Sequence, residues 1–239
     1  MATAFRSSSA TTYATRTNTT LTAPAGIVND DNLLLYFILG ASTEAGIPTP
    51  TFPSGFSVLT GFPVTVNQDN NPSQFSVRSW ALRKVASGES GSYTITHSSA
   101  SSDAYMCAVS GGETGALAIT PTKADGDGTG NISIPSITPT IDNSFILWVA
   151  HNWQLFGGHS PPTGTTPTFT ERSDSASSLI YACDGVLATA AATGAKAKAS
   201  GNLGAGDQWA GTMVCVQAVV SALAGDEGAL WYVSSMRDG

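Results

Sequence analysis

The sequence is poor in charged residues and especially poor in positive ones. Asp, Glu, Lys and Arg make up 11% of the 239 residues, against about a quarter in an average soluble protein. This composition excludes a coiled coil, a long helical bundle and a charge-rich disordered tail. Ten Lys and Arg face 17 Asp and Glu, which gives a net charge of −7, and the basic residues are scattered. Because binding to phosphates or to anionic lipid needs clustered basic residues, we expect no nucleic-acid partner and no membrane partner.

Long apolar runs and a disulfide framework are lacking as well. The longest strongly apolar run is Leu33–Leu39, far below the roughly 20 residues that cross a bilayer. Residues 1–16 contain no apolar run typical of a signal peptide, so we expect none. The three cysteines, Cys107, Cys183 and Cys215, are odd in number and widely spaced. We expect each to be a small buried apolar residue in a protein made in a reducing cytoplasm.

Residues with small hydroxyl side chains are abundant in the sequence. The chain has 29 Ser and 29 Thr with 25 Gly and 12 Pro, and its 41% of hydrophobic residues can fill a core. Short runs rich in β-branched and aromatic residues, separated by Gly and Pro, predict an all-β, antiparallel protein. The predicted strands are 32–39, 56–67, 74–85, 92–96, 104–109, 132–137, 145–150, 179–183, the C-terminal part of 187–199, and 212–220.

A similar order of landmarks occurs twice along the chain. Pro24 and Asp31-Asn32 align with Pro135 and Asp142-Asn143, and the next apolar strand aligns too. The aligned segments after Asn32 are 34–38 with 145–149, 53–55 with 162–164, 80–82 with 180–182, Gly91 with Gly194, and 105–107 with 213–215. Each half-repeat, about 21–111 and 131–220, has too few strands to cover its own apolar face. We therefore predict one jelly-roll-like β-sandwich of about eight to ten strands, with 33–39 as a central strand covered on both faces.

The first 20 residues form a polar segment that cannot fill a core of its own. We interpret them as an extended N-terminal arm whose contact residues are Phe5, Arg6, Tyr13 and Arg16. An ordered polar arm is usually held by something. Two interpretations stay open: the arm is an edge strand on its own sheet, or it lies on a neighbouring subunit.

Two further segments carry aromatic residues suited to contacts. Trp153 and Phe156 lie in the predicted loop 151–159, where they would stack on a sugar, pack into the core or contact another subunit. The C-terminal tail, residues 221–239, carries Trp231, Tyr232 and Arg237. Aromatic and Arg side chains are enriched at interfaces, so these three residues are interface candidates. The alternative is that Trp231 and Tyr232 close one end of the sandwich.

Motifs for catalysis and for metals are incomplete. The nucleophile pattern Gly-x-Ser-x-Gly is absent, and 88–91 comes closest to it. The segment 125–131 resembles the start of a calcium loop, but its twelfth position is Ser136 instead of Glu. Neither a zinc-type spacing nor a phosphate-binding loop occurs. His97 and His159 lie among Ser and Thr, a proximity that so many hydroxyls produce by chance. We therefore predict a non-enzymatic protein without a metal or cofactor.

The pattern as a whole resembles a family. An opening Pro with a polar turn, an apolar strand, a Pro-x-Gly turn and paired strands ending at Tyr105–Cys107 run, with their repeat, from Pro24 to about Ala218. This pattern resembles phage virion structural proteins with a duplicated jelly-roll-like β-sandwich. The resemblance implies a component on the outer surface of a bacteriophage virion, made in the host cytoplasm.

Small size and an arm favour a capsid decoration (cement) protein. Its partners would be the major capsid protein or other virion subunits, and we expect a homo-oligomer, with a trimer favoured. The alternative is a tail or fibre module that binds carbohydrate or a receptor, for which a glycan is the possible partner.

Overall fold

A computed structural model describes residues 2–68, 75–127, 131–156, 160–164, 166–199 and 208–220. The described residues form β-strands, all paired antiparallel, and one short 3-10 turn at Glu44–Gly46. The strands are β1 Ala4–Ala10, β2 Ala14–Thr22, β3 Asn32–Ala41, β4 Ser57–Val58, β5 Val64–Gln68, β6 Phe75–Val85, β7 Ser92–Ser110, β8 Thr122–Asp127, β9 Asn131–Ile134, β10 Ser144–Phe156, β11 Thr170–Ser173, β12 Ser178–Leu187, β13 Lys196–Ala199 and β14 Gln208–Val216. The prediction of an all-β, antiparallel protein is confirmed.

The strands form two large sheets and one small one. The first sheet has the order β1-β7-β3-β6-β4, with β2 also paired to β7 and β5 to β6. The second sheet has the order β11-β12-β10-β14-β8, and β9 pairs with β13 separately. Alternate side chains of a strand point to opposite faces of its sheet, so each sheet presents two faces that need a cover.

The two large sheets pack face to face. On β3, Leu34 and Tyr36 meet Phe145 and Leu147 of β10 in one apolar core between the sheets. The alternate β3 residues face the other way into a second cluster, and every residue of 33–39 is at most 2% exposed. The prediction of a central strand covered on both faces is therefore confirmed.

A two-stranded ribbon covers the outer face of each sheet. The first ribbon consists of β2 and the N-terminal half of β7, residues 92–102, and its Leu21 and Ile95 pack on Phe37. The second ribbon consists of β9 and β13, and its Ile132 packs near Trp148. Both faces of the central strands are thereby buried, while β1, β4 and β11 at the edges keep exposed residues, and the ribbons provide part of the outer surface.

The same order of pairing recurs in the two sheets. β3 lies between β6 and β7, as β10 lies between β12 and β14. Each sheet also has an outer strand beside the last of these three. β1 pairs with residues 105–110 of β7, and β8 pairs with β14. In two of the segment pairs that the sequence aligned, however, the matched residues face opposite sides of their sheets. Cys107 faces the core between the sheets while Cys215 faces the opposite side, and Ile180 and Trp80 differ in the same way.

Several element boundaries differ from the sequence prediction. The expected strands 92–96 and 104–109 are one continuous strand, β7, while the expected strand 56–67 is divided into β4 and β5. The Gly-rich segment 111–130, for which no strand was predicted, contains β8. β8 carries Asp and Gly, which disfavour strands, but β14 supplies its hydrogen-bond partners, so tertiary pairing outweighs local preference.

Candidate functional site

The N-terminal residues are built into the sandwich. β1 pairs with β7 from Ala4 opposite Ser110 to Ala10 opposite Tyr105, and β2 pairs with the ribbon half of β7. The segment also reaches the second sheet, because the backbone N–H of Tyr13 donates to the carbonyl of Ser177 at 2.8 Å. Of the two interpretations of this segment, the structure shows the edge strand on the chain's own sheet.

Two predicted contact residues near the N-terminus have partners within the chain. The guanidinium of Arg172 lies 3.7 Å from the centre of the Phe5 ring, and Arg172 also pairs with Asp184. Because Phe5 is on β1 and Arg172 is on β11, this contact joins edge strands of the two sheets. Arg6 forms an ion pair with the buried Asp31, with Nε and Oδ2 2.6 Å apart.

The other predicted contact residues divide into two groups. Tyr13 is half-buried against the core, and burial raises its pKa; Arg16 donates a hydrogen bond to the carbonyl of Thr12. The loop predicted for 151–159 is wrong up to residue 156, because Trp153 and Phe156 lie on β10; their side chains are undescribed, so their contacts stay predictions. Trp231, Tyr232 and Arg237 lie outside the described residues and also stay predictions.

A buried carboxylate joins three parts of the fold. Asp103 on β7 is fully buried and accepts hydrogen bonds from the hydroxyls of Thr11 at 2.8 Å and Ser178 at 2.7 Å. It also accepts from the backbone N–H groups of Leu179 and Ala104. Burial raises the pKa of Asp103, and these hydrogen bonds act in the opposite direction. Asp103 therefore ties the β1–β2 connection and β12 to the first sheet.

A second polar link crosses the core between the sheets. The hydroxyl of Tyr36 and Nδ1 of His151 lie 2.8 Å apart, and both residues are buried. Burial lowers the pKa of His151 to about 3 and raises that of Tyr36. At neutral pH the imidazole is consequently uncharged and holds β10 against β3.

His97 contacts a threonine hydroxyl in an arrangement that resembles a catalytic base beside its nucleophile. Nε2 of His97 lies 3.0 Å from Oγ1 of Thr19, and its Nδ1 lies 2.8 Å from the carbonyl of Ser98. A hydroxyl beside an imidazole whose other nitrogen is fixed is typical of nucleophilic catalysis. Thr19 and its second partner, Ser102, are each 0% exposed on the inward side of the first ribbon. All three residues belong to the ribbon, so their hydrogen bonds join its two strands to each other on the side that is buried.

The segment that joins the two halves is held by a buried cation. Arg83 on β6 is 8% exposed and donates to Oδ1 of Asn32 and to the backbone carbonyls of Glu113 and Gly115. It lines a cleft of about 430 Å³ beside β4. Lys84, the other cation of the cleft, pairs with Glu89 at 2.7 Å. The cleft's two cations are thus engaged by the chain itself.

A groove with polar and apolar lining residues lies where the N-terminus meets the end of the described chain. It has a volume of about 490 Å³ and is lined by Ala2, residues 140–143 and residues 218–220. Val219 and Val220 are 44% and 66% exposed, among the most exposed large apolar side chains of the described residues. We call it the terminal groove. Sequence reasoning missed it, although Val219-Val220 directly precedes the tail that carried three interface candidates.

Searches for a metal centre and for known relatives give no positive result. In the part of the chain that the structure describes, no three His, Cys, Asp or Glu side chains come together as metal ligands. The described residues also contain no helix with the length and hydrophobicity of a membrane span. Comparison with protein families, curated proteins and solved structures finds no match for the chain.

Proposed function

We propose that the chain is a structural subunit of a phage particle, a capsid decoration protein that stabilises the particle through subunit contacts. Two features support the proposal: the sequence resemblance to virion proteins and the antiparallel sandwich. The recurrence of one pairing order in both sheets supports the duplicated jelly-roll-like plan that the resemblance implies.

The observation that carries the proposal is the cross-linking of the body by buried polar contacts. Asp103 and the Tyr36–His151 pair join the sheets through the core, and Phe5 with Arg172 joins their edges. A body held in this way has little conformational freedom to lose on binding. Many copies on one particle then add weak contacts into strong attachment.

The attachment surface is proposed to be the terminal groove together with the tail that follows it. The groove exposes Val219 and Val220, and the tail contributes Trp231 and Tyr232 on sequence grounds. Aromatic anchors beside exposed apolar residues are the usual centre of a protein interface. Residues 1–20 are a weaker choice because β1 and β2 already belong to the sandwich.

The test uses phage particles that lack this protein. Purified full-length chain, a chain ending at Val220, and Trp231→Ala with Tyr232→Ala are each added, and particles are examined by negative-stain microscopy and heated until they release DNA. We expect full-length protein to decorate the particles and raise the release temperature, and both variants to lose decoration.

Val28→Ser is the matched control, since Val28 is an exposed apolar residue, 53% exposed, outside the groove. It should decorate normally. Absence of full-length protein from the particles would contradict the proposal, and normal decoration by the shortened chain would contradict the proposed surface. Deleting residues 1–20 is unsuitable, because it removes β1 and most of β2.

A further inference from the structure

The outward side of the first ribbon carries a regular array of hydroxyl groups. Three of its cross-strand pairs are Asn18 with Thr96, Thr20 with Thr94, and Thr22 with Ser92, and all six side chains are exposed; they carry five hydroxyl groups and the amide of Asn18. Across the ribbon, facing Cβ atoms lie about 5 Å apart, and along each strand the repeat is about 7 Å. We call these six residues the hydroxyl face.

The hydroxyl face is held in place from behind. The residues between its members, including Leu21, Tyr93 and Ile95, are at most 6% exposed and pack on the first sheet. Thr19 and His97 add the hydrogen bond described above. Threonine is also stiff at χ1, so its hydroxyl loses little freedom when a ligand binds.

The array is not a general property of the fold. The second ribbon occupies the corresponding place on the other sheet, yet its exposed Ser133 is opposite Ala197 and its exposed Asn131 is opposite Ala199, so neither pair has two hydroxyls. A ribbon of this protein therefore packs without rows of hydroxyls. The array also extends sideways, because Thr51 is exposed and exchanges two backbone hydrogen bonds with Thr96.

The chemistry of the hydroxyl face restricts its partner. Its six residues include no Lys, Arg, Asp or Glu, so a polyanion such as a nucleic acid would gain no charge pairing there. They also include no large apolar side chain, which the centre of a protein interface needs. Each hydroxyl offers one donor and two acceptor sites. An uncharged polymer with hydroxyls at repeated spacing matches this surface.

We propose that the hydroxyl face binds neutral polysaccharide. Neighbouring hydroxyls of the face, such as those of Thr20 and Thr94 at 2.9 Å, form paired donors and acceptors for successive sugar hydroxyls. Single contacts of this kind contribute little, so binding requires several residues of the face to contact the polymer together. The inference is independent of the virion proposal, because the isolated chain has the complete face.

The experiment is co-sedimentation of the purified full-length chain with insoluble neutral polysaccharides: cellulose, chitin, starch, curdlan and mannan. The test variant is Thr20→Val, Thr94→Val, Thr96→Val, which removes three hydroxyls and keeps side-chain shape and strand preference. The matched control is Ser133→Val, Thr170→Val, Thr189→Val, three exposed hydroxyls elsewhere. Circular dichroism checks that both variants fold. If the test variant fails to fold, Thr94→Lys replaces it.

We expect the wild type to sediment with at least one neutral polysaccharide, equally at 0.05 and about 1 M NaCl, since the contact involves no ion pair. The test variant should bind about tenfold more weakly or worse, and the control should bind as the wild type does. Three results would overturn the proposal: no retention on any of the five polymers, equal binding by the test variant, or binding that high salt abolishes.

Discussion

Protonation of His151 should make the protein sensitive to mild acid. Its imidazole lies in the core beside Tyr36, and burial lowers its pKa to about 3, against 6.5 for the free side chain. Below pH 6.5 the unfolded chain therefore binds a proton that the folded chain does not bind. The stability that the neutral His151 contributes is fully present above pH 6.5 and is lost as the pH falls from 6.5 toward 3.

The size of the effect follows from the two pKa values. Each pH unit in this window changes the free energy of unfolding by about 1.4 kcal/mol, so the drop from 6.5 to 5 removes about 2 kcal/mol. For a chain of this length such a loss lowers the melting temperature by roughly 4–8 °C. The raised pKa of Asp103 acts in the opposite direction, because the folded state then binds a proton more readily than the unfolded state.

The assay compares wild type with His151→Asn by urea unfolding at pH 7.5 and pH 5. Asn keeps a polar group near the position of Nδ1 but does not titrate, and the contribution of Asp103 cancels in the comparison. We expect the wild type to lose about 2 kcal/mol more than the variant between the two pH values. Equal losses would refute the reasoning, because they would mean that the folded state protonates His151 as easily as the unfolded state does.

Three further predictions concern buried groups. Arg83→Met should lower the free energy of unfolding by about 2–4 kcal/mol in urea titrations, because it removes the donor to the backbone carbonyls of Glu113 and Gly115, while Arg83→Lys should recover only part of the loss. Asp103→Asn should destabilise by about 1–3 kcal/mol, since an amide cannot accept from all four donors, and an unchanged midpoint would contradict the network. Cys107, Cys183 and Cys215 are buried with raised pKa values, Cys215 to about 12, so Ellman's reagent should react only after unfolding.

The location of the N-terminal strands shows where local sequence information ends. Residues 1–20 contain few apolar side chains, and nothing in them distinguishes pairing with their own sheet from pairing with another subunit. The distinction depends on β7, about 90 residues later, whose edge β1 and β2 occupy. Phe5 could be identified as a contact residue, but its partner Arg172 could not.

The hydroxyl face, by contrast, can be recognised in part from local sequence. Its signal is local, since Thr20-Leu21-Thr22 and Thr94-Ile95-Thr96 alternate polar and apolar residues as a half-buried strand does. The register that places Thr20 opposite Thr94 is tertiary. Only that register turns two alternating stretches into one array.

The sequence by itself determined the class of structure. Strand-length runs, turn residues and the apolar segment 33–39 required an antiparallel, all-β protein with a strand buried on both sides, because side-chain alternation and burial are local properties. The tertiary structure alone decided which strands are neighbours, in which register, and which polar groups meet in the core. A register shift of one residue sends a side chain to the other face, as the opposite orientations of Cys107 and Cys215 show, and long-range pairing sets that register.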